Sequence, residues 1–67
     1  MATDYEIRSG RQSLSVRSAA TPQQALIDYL RSMGCRDGEM VRLGVDAIAW
    51  RGARYSAIPV PSRVATD

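Results

Sequence analysis

Apolar and polar residues alternate with period two on both sides of Gly10 in "YEIRSGRQSLSVRSA", the pattern of a β-hairpin with one buried face. If Gly10-Arg11 is a two-residue type II′ turn, with glycine first as that turn prefers, Ser9 pairs with Gln12, Ile7 with Leu14 and Tyr5 with Val16. That register sends Tyr5, Ile7, Leu14 and Val16 to one face. Glu6, Arg8, Ser13, Ser15 and Arg17 go to the other.

The period then changes to 3.6 in "TPQQALIDYLRSMG". Thr21 suits the N-cap, and Pro22 the first helical position, where a missing N–H costs nothing. Gln24 completes a capping box with Thr21, and Gly34 supplies the left-handed residue that stops a helix. Leu26, Ile27, Tyr29, Leu30 and Met33 share one arc, opposite Gln24, Asp28, Arg31 and Ser32. The expectation is a surface helix with one buried stripe.

After a turn at "CRDGE", period two returns. "EMVRL" and "DAIAW" can pair around Gly44-Val45, matching Val41 with Ile48. "DAIAW" and "ARYSA" can pair around Arg51-Gly52, matching Trp50 with Ala53 and Ile48 with Tyr55. The inner face then carries Val41, Leu43, Ile48, Trp50, Ala53, Tyr55 and Ala57. One conflict remains: the register also points Asp46 inward opposite Leu43, unless that strand end frays or the Gly44 turn is longer. Pro59 and Pro61 end the last strand or mark it as an edge.

Together these patterns predict an α+β domain, β-β-α-β-β with a short extra strand at residues 39 to 43. One helix covers one face of a mainly antiparallel sheet. Residues 5–60 form this single domain, between a flexible N-terminus at 1–4 and a flexible tail at 61–67.

Composition sharpens this picture by subtraction. The chain has 67 residues, no histidine, one cysteine (Cys35) and a net charge of +2. All nine basic residues are arginine, which lifts the pI to 9.2 without a large positive excess. Without histidine or lysine, no serine has a recognisable activating base. The carboxylate pairs Asp4/Glu6 and Asp37/Glu39 belong to exposed turns or strand ends, where both members ionise. Cys35 stands alone, so neither a disulfide framework nor a cysteine zinc cluster follows. The expectation is a non-enzymatic protein with no cofactor and no metal. The N-terminus has no export or membrane pattern, so the cytoplasm is the expected location.

What is left free is the sheet face opposite the helix. By parity it presents Arg8, Ser13, Ser15, Arg17, Arg42, Ala47, Ala49, Arg54 and Ser56, with Arg11 and Arg51 at the hairpin tips and Glu6 as the one clear acid. The eight taken as the candidate interaction face are Arg8, Ser15, Arg17, Arg42, Ala47, Ala49, Arg54 and Ser56. The leading expectation is a protein-interaction domain that self-associates through its open sheet face or edge, around the small apolar patch Ala47 and Ala49. The alternative is a nucleic-acid-binding regulator using Arg8, Arg17, Arg42 and Arg54. Against it, the parity directs Trp50, Tyr55 and Tyr5 to the core, away from where bases would stack.

Overall fold

The computed structural model describes residues 2–60. In chain order it contains β1 (Thr3–Ser9), β2 (Gln12–Ala19), α1 (Pro22–Ser32), one 3₁₀ turn (Asp37–Glu39), β3 (Val41–Gly44), β4 (Ala47–Trp50) and β5 (Ala53–Pro59). The strands form one sheet in the order β2-β1-β5-β4-β3, with every neighbouring pair antiparallel. Helix α1 packs across β1, β2, β4 and β5. This is the expected α+β architecture, and β3 is the expected extra strand. Met1 and the tail 61–67 lie outside the described residues, while Thr3 and Asp4 belong to β1 rather than to a loose N-terminus.

Local chemistry explains why the elements begin and end where they do. The Gln24 amide donates to Thr21 Oγ1 at 3.1 Å, capping α1. The reciprocal half of the capping box does not form, because the Gln24 side-chain amide donates forward to Asp28 Oδ1 at 2.9 Å. Gly34, at φ 98°, turns the chain out of the helix, and Met33 at the C-cap is consequently exposed rather than in the buried stripe. At the β4–β5 hairpin both central residues have positive φ, Arg51 at 52° and Gly52 at 78°, the signature of a type I′ turn.

Pro59 ends β5 although β5 lies inside the sheet. The Val60 amide donates to the Asp4 carbonyl, so the β1-facing amides of β5 are those of Ile58 and Val60. The nitrogen of Pro59 therefore faces the other side, where β4 has already given way to the Val45-Asp46 turn. No ladder hydrogen bond is lost there.

The core lies between α1 and one sheet face. Ile7, Leu26, Leu30 and Ile48 are wholly buried, and Tyr5, Ala19, Ala25, Tyr29, Cys35, Trp50 and Ala57 complete the cluster, with Leu14, Ile27, Met40 and Tyr55 packed against it. Each buried Leu or Ile contributes about 1.5–3 kcal/mol. Tyr29 and Tyr55 pack at a tilt of 50° with centroids 6.3 Å apart. The aromatic side chains are therefore spent on the helix side, as the strand parity indicates.

Two register shifts alter the expected faces. In the first hairpin Ser9 pairs with Gln12, but Ile7 pairs with Ser15 and Tyr5 with Arg17, because β2 holds one extra residue around Leu14. That bulge flips the parity beyond it, and Val16 lies outside at 57% exposure rather than in the core. In the second, Val41 pairs with Ala49 and Arg42 with Ile48, again with one extra residue, now in β3. Val41 and Leu43 are exposed as a result, and Asp46 sits in a Val45-Asp46 turn one residue later than expected. This turn removes the inward-pointing carboxylate. The pairings of Ile48 with Tyr55 and of Trp50 with Ala53 are those the sequence implies.

Candidate functional site

Residues directly opposite each other in neighbouring strands share a face, so the sheet face away from α1 can be read row by row from the register. The central row runs Ser13, Arg8, Ser56, Ala47 across β2, β1, β5 and β4. On one side lies the row Val16, Glu6, Ile58. On the other lies Arg54, Ala49, Val41. Val16, Val41 and Ile58 are 57%, 58% and 43% exposed. With Ala47 and Ala49 they make half of this face apolar, Ile58, Ala47, Ala49 and Val41 as one diagonal and Val16 beyond Glu6.

Charge is distributed unevenly over it. The Arg8 side chain leans toward the hairpin tip, where its Nη2 donates to the Arg11 carbonyl at 3.2 Å. Its Nε is buried and has no acceptor among the described residues. Arg54 occupies the row toward that same end of the face, and Glu6 the row at the other end.

Five of the eight expected residues are brought together here: Arg8, Ala47, Ala49, Arg54 and Ser56. Three are not. Ser15 pairs with wholly buried Ile7, Arg17 with buried Tyr5 and Arg42 with wholly buried Ile48, so all three lie on the helix side. The physical cause is the pair of bulges. Arg17 has a structural role there: its guanidinium lies 5.5 Å from the centre of the Tyr29 ring and donates to Ser32 Oγ at 3.1 Å. The sequence reading missed Val16 and Val41, which it assigned to the core, and Ile58, whose parity matches Arg54 and Ser56 in plain period two.

The sheet edges differ from the face. Each edge strand, β2 and β3, carries one of the two bulges, and bulged edges pair poorly with further strands. Edge-to-edge growth is thus disfavoured where face-to-face contact is not.

A polar cluster closes the helix side near β3. Trp50 Nε1 donates to Glu39 Oε1 at 3.3 Å, and the Arg36 amide donates to the same oxygen at 3.2 Å. The Arg51 guanidinium covers the indole at 4.8 Å. Nearby, Arg31 forms a forked pair with Asp37, donating at 3.0 and 2.8 Å. Burial pushes the Cys35 thiol up, with Glu39 adding to the effect, which is the opposite of what a nucleophile needs. Among the described residues no three of Cys, Asp and Glu converge as metal ligands. No helix there is long and apolar enough to cross a membrane.

Glu39 is held below the ordinary carboxylate range, first by the Arg36 amide and then by the Trp50 indole. Asp37 is lowered chiefly by its hydrogen bond from Arg31. Because the unfolded chain takes up these protons more readily, their contribution is present above the unfolded pKa and lost as pH falls through the folded one. The urea midpoint is expected to hold near neutrality and to drop as pH falls below the ordinary carboxylate range of about 4. Glu39→Gln, which keeps an acceptor for both donors, should shallow that drop, and an identical pH profile in the variant would contradict the assignment.

Comparison with protein-family models, with curated proteins and with solved structures finds no significant match, so likeness to known proteins contributes nothing to the functional reading.

Proposed function

We propose that the protein is a small non-enzymatic interaction domain that self-associates through its open sheet face, acting in the cytoplasm where its single thiol stays reduced. The observation that carries this reading is the apolar diagonal Ile58, Ala47, Ala49 and Val41, with Val16 beyond Glu6, on the one sheet face that α1 leaves uncovered. Contiguous apolar surface rimmed by polar groups marks association sites. A domain this small also gains from burying it, because its own core is limited.

The nucleic-acid reading loses support from the same geometry. Of its four arginines, Arg17 and Arg42 lie on the helix side, and Trp50, Tyr5, Tyr29 and Tyr55 all belong to the core side. Arg8 and Arg54 remain beside a carboxylate and five apolar side chains. Such a face favours packing over phosphate tracking.

Light scattering between micromolar and millimolar concentration tests the proposal. The mass is expected to rise from one chain toward two. A one-chain mass throughout that range would overturn self-association.

A further inference from the structure

The open face carries its own electrostatic complement. Successive same-face residues along a strand are about 6.8 Å apart and strands about 4.8 Å apart, so Glu6 and Arg54 stand two rows and one strand from each other. That separation is too long for a direct pair within one chain. Among the described residues neither side chain has a hydrogen-bond or ion-pair partner, and Arg8 Nε is buried without one.

We infer that two copies pack open face to open face about a two-fold axis that crosses the face between Arg8 and Ser56, about 20° from the perpendicular to the strands, so that Glu6 of each chain meets Arg54 of the other. This rests on the self-association reading above and adds the geometry of the pair. A two-fold axis between two sheets exchanges whatever lies on either side of it. Here it lays Glu6 over the partner's Arg54 and Ile58 between the partner's Ala47 and the partner's Ala49. A large apolar side chain then meets two small ones, and the carboxylate meets the guanidinium, twice per dimer. The Arg8 guanidinium, drawn toward Arg54 by its bond to the Arg11 carbonyl, adds a second cation beside the incoming carboxylate. A two-fold axis parallel to the strands lays each row on its own copy instead and leaves Glu6 and Arg54 two rows, about 14 Å, apart.

Charge reversal distinguishes these arrangements. Glu6→Arg places arginine against arginine in its homodimer, and Arg54→Glu places glutamate against glutamate. Each single variant should self-associate at least about tenfold more weakly than the unmodified chain, by sedimentation equilibrium. Mixed in equal amounts, the two variants present one oppositely charged pair at both symmetry-related contacts. The mixed dimer should therefore be at least about tenfold tighter than either homodimer. Ile58→Glu serves as a charge-independent control, since it removes the apolar centre whatever the ionic pairing.

If Ile58→Glu dissociates the dimer but the mixture associates no better than its components, the cross-pairing is wrong and the face assignment survives. If the unmodified chain is a monomer at every concentration, the self-association reading fails as well. Weakening by Glu6→Arg and Arg54→Glu together with recovery in the mixture is the result the geometry requires.

Discussion

Trp50→Ala is expected to cost about 3–5 kcal/mol, enough to leave much of the chain unfolded at room temperature. Trp50 is 7% exposed and is the largest side chain in the core cluster. Its ring is closed in by Ala53 across the hairpin, by Arg51 stacked at 4.8 Å, and by the Glu39 carboxylate that accepts from Nε1. Truncation opens a cavity at the β4 end of the sheet and strips Glu39 of one of its two donors. Trp50→Phe separates the two effects, because it keeps most of the volume and forfeits a hydrogen bond worth about 1 kcal/mol net. Urea unfolding followed by far-ultraviolet circular dichroism should rank the chains native, Phe, Ala. An Ala variant as stable as the unmodified protein would remove Trp50 from the core.

Ile58→Glu is expected to do the reverse, leaving the fold in place and abolishing association. Ile58 is 43% exposed in the single chain and lies on the face away from α1, so the fold loses less than about 1 kcal/mol. In the face-to-face dimer the same substitution buries two carboxylates, one per chain, among Val and Ala side chains. At about 1–3 kcal/mol or more for each polar group without a partner, the dissociation constant rises by roughly thirtyfold to well over a thousandfold. Sedimentation equilibrium checks this directly. A variant that unfolds, or that associates as well as the parent, would contradict the separation of faces.

How far these features can be read from the chain depends on whether they are local. Thr21, Pro22 and Gly34 fix α1 through capping and φ alone, and Gly10 and Gly52 fix two turns in the same way. The β4–β5 parity follows from one tight turn, so the inward Ile48 and Trp50 and the outward Ala47, Ala49, Arg54 and Ser56 are all legible. The bulge at Leu14 is not: Leu14 and Val16 continue the alternation of Tyr5 and Ile7, and no glycine or proline marks the inserted residue. Only contact with α1 decides it, where Arg17 can cover Tyr29 and reach Ser32. For β3 a signal was present. The conflict between Asp46 and Leu43 disappears when the turn moves one residue onward, but that move alone leaves Val41 opposite Trp50, and the extra residue between Arg42 and Gly44, which nothing local marks, carries it outside. The pairing of β1 with β5 joins the two ends of the described chain, and nothing local specifies it.

The consequence for the candidate site is a change of character. Arginines and serines dominate the face inferred without the bulges, whereas the face with them exchanges Ser15, Arg17 and Arg42 for Val16 and Val41. A surface that resembled a basic platform becomes a mixed one, in which an apolar diagonal runs beside Glu6, Arg8 and Arg54.

Amide chemical shifts followed while the protein is diluted from millimolar to micromolar concentration test that surface residue by residue. Self-association through the open face predicts shifts concentrated at Glu6, Val16, Val41, Ala47, Ala49, Ser56 and Ile58, with α1 unmoved. Shifts centred on α1 or on the outer edges of β2 and β3, or no shifts at all, would contradict it.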